Sequence, residues 1–169
     1  MKGLNIHLKS FKLNQNLVSS NDKVRVSITT FPEGNKEAFI TEAKQMNSVN
    51  HDFKVNITDK TQDIIVVFRK MEILQDPIIA STTISSKELP TTLNKAENKS
   101  FEIYEPAQKS NKDRHVFGQM QIQFTLTSAF PVSQSKENNQ QKKKTQKNFY
   151  SELDEKNEEI PYSVFLHDD

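Results

Sequence analysis

At 169 residues the chain is sized for one domain plus some additional length, and its formal net charge of +1 provides no overall field to attract nucleic acid. Only 34% of its residues are hydrophobic, low for a globular chain. It has no cysteine, which removes disulfides, zinc–thiolate centres and thiol nucleophiles together.

The opening MKGLNIHLKS has no long apolar core and no small-residue cleavage site, so it does not read as a signal peptide. No window approaches the roughly 18 apolar residues of a membrane span. A soluble, cytoplasmic chain is expected. In chain order, Leu4, Ile6 and Leu8 alternate with Asn5, His7 and Lys9, and Phe11 and Leu13 then take the opposite phase. One extra residue near Ser10 would produce that slip, because it moves every later side chain to the other face. Val24, Val26 and Ile28 form a second alternating run, followed by Phe39-Ile40-Thr41 and by Phe53, Val55 and Ile57. Ile64 to Phe68 is continuously apolar, as expected of a strand covered on both faces. Ile78, Ile79 and Ile84, then Phe101 and Ile103, and lastly Met120, Ile122, Phe124 and Leu126 bring the count to about eight strands. Polar turns separate them, among them Ser19-Ser20-Asn21-Asp22 and Phe31-Pro32-Glu33-Gly34-Asn35. Many short strands with frequent turns predict an all-β, antiparallel sandwich over residues 1–131.

Residues 132–169 differ in kind. Ser133 to Lys147 contains no apolar residue, cannot bury a face and is expected to be disordered. Its basic cluster, Lys142, Lys143, Lys144 and Lys147, precedes an acidic stretch, so charge in this tail is segregated. Four lysines at an anionic membrane would add about 4 kcal/mol in total, enough to assist binding and too little to anchor it. Two apolar islands, Asn148 to Leu153 and Ile160 to Leu166, are suited to dock on a partner, and the second is equally suited to lie back on the domain.

Four segments carry a resemblance to C2 domains. Asn21-Asp22-Lys23-Val24-Arg25-Val26 resembles that family's Ser-Asp-Pro-Tyr-Val-x-Val strand entry, one residue short and without its Pro and Tyr. Met46 to Val55 resembles the Asn-Pro-x-Trp-Asn-Glu-x-Phe stretch, without its Trp. Ile78-Ile79-Ala80 with Ile84 and Leu89 resembles the strand after the third top loop, and Gly118-Gln119-Met120-Gln121-Ile122 resembles the closing Gly-x-Leu-x-Val. The resemblance implies an eight-stranded sandwich over about residues 2–130. In calcium-binding members of the family, about five aspartates from the first and third top loops hold the ions. Here the first loop offers Asp22, the family's Asp-x-Asp falls on Lys70-Met71-Glu72, and Asp76 completes the set. A hard dication wants six to eight oxygen ligands. Three carboxylates beside Arg69 and Lys70 make a poor cage, so the resemblance implies a calcium-independent member with Asp22, Glu72 and Asp76 as remnants. Arg69, Lys70 and Met71 are then the loop residues that contact a lipid or partner.

Lys44 and Lys54 are expected on strands that form a lysine-rich phosphoinositide patch in some C2 domains, but Glu42 and Asp52 beside them imply ordinary surface charge. The four histidines lack metal-ligand spacing, no Gly-x-Ser-x-Gly elbow occurs, and three glycines cannot build a phosphate cradle. No enzyme, cofactor or small-molecule substrate is expected. The reading that results is a non-catalytic scaffold or adaptor that binds a protein partner; the alternative is a peripheral membrane module that binds anionic phospholipid, with or without calcium.

Overall fold

A computed structural model describes residues 1–106 and 114–131. Eight strands occupy them: β1 (Lys2–Leu13), β2 (Lys23–Phe31), β3 (Lys36–Glu42), β4 (His51–Ile57), β5 (Asp63–Lys70), β6 (Ile78–Ser85), β7 (Ala96–Tyr104) and β8 (Val116–Ser128). Two short 3-10 helices, Ala43–Ser48 and Ser86–Glu88, lie in the connections. Among the described residues no helix is long and apolar enough to cross a membrane. The predicted disordered tail, including Lys142, Lys143, Lys144 and Lys147, lies outside the described residues.

The strands follow the order β3-β2-β5-β6-β7-β8-β1-β4, all neighbours antiparallel. One pairing, Ser81 with Tyr104, joins β6 to β7, so the ladder divides there into two four-stranded halves. These are the two layers of an antiparallel sandwich. The alternating positions of each layer point into a single core, with Leu4, Ile6 and Leu8 of β1, Val24, Val26 and Ile28 of β2, and Met120, Ile122, Phe124 and Leu126 of β8 all buried. Phe11 of β1 and Phe68 of β5 meet across the layers with ring centroids 5.0 Å apart.

Two local expectations hold at specific positions, and a third feature emerges beside them. The β1–β8 register shifts between Leu8 and Ser10, and beyond it Phe11 and Leu13 return to the core. The unbroken run in β5 is buried on both sides: Ile64, Val66 and Phe68 enter the core, while Ile65, pointing the other way, is 2% exposed. Gly118 pairs with Leu13 on one side and Ile103 on the other, where a strand must approach its neighbour without a side chain between them.

Among the connections that the antiparallel order places at one end of the sandwich are residues 14–22 between β1 and β2, 43–50 between β3 and β4, and 71–77 between β5 and β6. Backbone hydrogen bonds tie them to one another and to the neighbouring strands. Ala43 N donates to Asp22 O at 2.8 Å, Val49 N to Lys9 O at 3.0 Å, and Met71 N to Lys23 O at 2.9 Å. At the opposite end, Glu33 accepts hydrogen bonds from Thr58 and Thr61.

Candidate functional site

The 71–77 loop is built from both of its ends. Lys70 N donates to Pro77 O at 3.1 Å, closing the base, and Glu72 N donates to Asp76 Oδ1 at 3.2 Å, turning the chain inside it. Asp76 also solves a problem in the sheet. Arg25 and Arg69 are direct cross-strand neighbours on β2 and β5, an arrangement that costs energy when both are charged. Asp76 Oδ2 lies 3.1 Å from Arg25 Nη1, and Arg69 Nη1 donates to the Asp76 carbonyl at 2.9 Å, so one residue bridges the pair.

Lys70 performs a similar task one residue further along. Its ammonium stands 3.5 Å from Asp22 Oδ2 and 3.8 Å from Glu72 Oε1, joining the first loop to the third. Asp22 Oδ2 also accepts a hydrogen bond from Ser19 N at 2.7 Å. That backbone bond is the main reason the carboxyl lies below its usual 3.8; burial opposes it, and Lys70 adds to the lowering. A carboxylate depressed in this way stabilises the loop above its unfolded value, and the contribution is lost as pH falls through the folded value. An NMR titration of Asp22 should therefore give a midpoint below 3.8. A midpoint at or above that value would show that neither Ser19 nor Lys70 holds it.

All the residues singled out in these loops sit at this end, and the three carboxylates each face a basic residue. Arg25 carries no special mark in the sequence, because its role depends on being opposite Arg69 and within reach of Asp76. A second feature went unmarked. Ile73 and Leu74, at the apex of the loop, are 102% and 91% exposed. An adjacent aliphatic pair inside a turn bounded by Glu72 and by Gln75-Asp76-Pro77 is the signal that could have found it.

Further cations line the outward side of the β3–β2–β5–β6 layer. Lys36 of β3 is pushed down to about 8, first by burial of its ammonium and then by Arg69 and Arg25. Arg114 donates to Ser81 Oγ at 2.8 Å and stacks on Tyr104. The lysine positions expected from the sequence are elsewhere. Lys44 lies on the 3-10 helix, not on a strand, and pairs with Glu42 at 2.8 Å. Lys54 lies on β4 in the other layer, its ammonium 5.9 Å from the Phe130 ring centre. Asp52 pairs instead with His7, at 2.8 Å.

A C2 domain of a plant Extended Synaptotagmin 1 superposes on this chain with a TM-score of 0.59, at 11% identity, over 77% of this chain and 97% of that one. The fold is that of a C2 domain. Two longer structures share the C2-like fold over part of their length. CC2D1B matches with a TM-score of 0.52 at 10% identity, over 73% of this chain and 54% of its own. Human GIVD cytosolic phospholipase A2, in a structure with an inhibitor and terbium chloride, matches with a TM-score of 0.51 at 15% identity, over 76% of this chain and 17% of its own. No family model and no curated protein matches the sequence. In the C2-like frame the three clustered connections are the top loops.

Proposed function

We propose that this chain is a non-catalytic, calcium-independent C2-like module that docks its top-loop end on anionic membrane surfaces from the cytoplasmic side. The observation that carries the reading is the fully exposed Ile73–Leu74 pair at the apex of the third loop. A protein partner came first on sequence alone. A narrow projecting apolar tip suits insertion at a headgroup boundary better than it suits a flat protein interface, whose energetic anchors sit at a broad, desolvated centre. Exposed Lys12 and Lys23 stand at the same end, where they would face lipid headgroups.

The magnitudes are adequate for reversible binding. Full burial of an aliphatic side chain contributes about 1.5–3 kcal/mol. Each lysine near an anionic surface adds about 1 kcal/mol. Together the two aliphatic and two basic residues would reach about 5–8 kcal/mol, in the range from sub-millimolar to micromolar dissociation constants. Calcium independence is supported by the basic partner that each loop carboxylate already has.

The test is co-sedimentation of the full chain with phosphatidylserine-containing vesicles in chelator and in millimolar calcium. Equal pelleting in both is expected, declining as salt rises because the cationic share is screened. No pelleting in either condition would overturn membrane docking, and pelleting in calcium alone would overturn calcium independence.

A further inference from the structure

The loop end does not fit the dication that the C2-like fold implies, and the way it fails to fit is informative. Each candidate carboxylate already has a partner within the chain. Asp22 Oδ2 is held by Ser19 N and Lys70, Glu72 Oε1 faces Lys70, and Asp76 uses Oδ1 for Glu72 N and Oδ2 for Arg25. Three carboxylates already held by Ser19, Lys70, the Glu72 amide and Arg25 are a poor source of the six to eight oxygens a calcium ion requires.

We infer that Lys70 is a resident counter-ion: its ammonium does for the first and third loops what a bound dication would do, and Arg25 completes the neutralisation at Asp76. Lysine suits the role. Its head is a compact charge with three donors on a flexible stem, able to face two carboxylates from different loops at once. Lys70 leaves the last position of β5, so the charge is delivered from the rigid sheet to the gap between loops. With Lys70 in place, the loop carrying Ile73 and Leu74 keeps its shape without any diffusible ion. This inference deepens the calcium-independent part of the proposed function, but its test needs no membrane.

The deciding variant is Lys70→Asp in the full chain. It removes the ammonium and puts in its place a carboxylate that Asp22 and Glu72 both repel. Thermal melting should show a lower Tm than wild type in chelator and a recovery of about 5 °C in calcium well above a half-saturating concentration on the order of a millimolar. Wild type should melt at the same temperature in both conditions. A second variant, Asp22→Lys combined with Lys70→Asp, restores one cation between the loops and should recover the Tm with no calcium present. A Lys70→Asp protein that melts like wild type and ignores calcium would overturn the inference. If Lys70→Asp does not fold, recovery of folding in the double variant supports the inference and its failure overturns it. Recovery by calcium in solution, together with absence of vesicle binding by wild type, would leave the resident counter-ion standing and remove the membrane reading alone.

Discussion

Gly118→Ala is expected to destabilise the domain by about 3 kcal/mol or more, the upper range for forcing atoms into a packed interior. A Cβ added there would overlap the Lys12 carbonyl oxygen and lie 2.9 Å from its carbonyl carbon. These are backbone atoms, so no rotamer change relieves the clash. Gly118 is paired on both sides, to Leu13 of β1 and Ile103 of β7, so β8 cannot shift away from one neighbour without breaking its ladder with the other. The strain is delivered next to the first top loop, where Asn14 N donates to Phe117 O at 2.8 Å. A Tm lower by about 10 °C or more is the expected readout in thermal denaturation. A Tm within a degree or two of wild type would mean that β1 and β8 can separate at this point at little cost.

The second large effect is on binding. Ile73→Ser with Leu74→Ser should reduce partition onto phosphatidylserine vesicles by about 100-fold, since removing two aliphatic side chains from an apolar boundary forfeits about 3 kcal/mol even when each is only half buried there. Stability should be nearly unchanged, because both side chains are fully exposed in the free protein and stand outside the core. Co-sedimentation and thermal melting on the same samples separate the two quantities. Unchanged vesicle binding would show that the apex does not enter the membrane, and the basic residues would then have to carry the interaction alone.

Much of the frame was legible in the chain because sandwich strands advertise themselves by alternation. Leu4, Ile6 and Leu8 must share a face in any extended segment, and the change of phase before Phe11 has no other economical cause than an added residue near Ser10. The double burial of β5 was legible for the same reason, since successive apolar residues from Ile64 to Phe68 cannot all face one way. Gly118 was visible as part of a pattern. The reason for it, the closeness of the Lys12 carbonyl, is a distance between strands that lie about a hundred residues apart in sequence.

The site divides along the same line. Counting carboxylates and cations in the first and third loops showed that Asp22, Glu72 and Asp76 are too few and too close to Arg69 and Lys70 for a metal cage. Composition cannot say which cation meets which carboxylate. That depends on the β2–β5 register, which sets Arg25 opposite Arg69, and on the loop turn that brings Asp76 between them. Exposure is equally invisible locally: Ile73 and Leu74 have the same chemistry as Ile64 and Ile84, and only the position of the loop apex beyond the sheet separates an apolar tip from an apolar core. By itself the sequence determined the strands, the inward-facing residues and the charge inventory of the loops, because these follow from local periodicity and composition. The tertiary structure alone decided the ion pairing and the exposed tip, because both arise where segments distant in the chain converge.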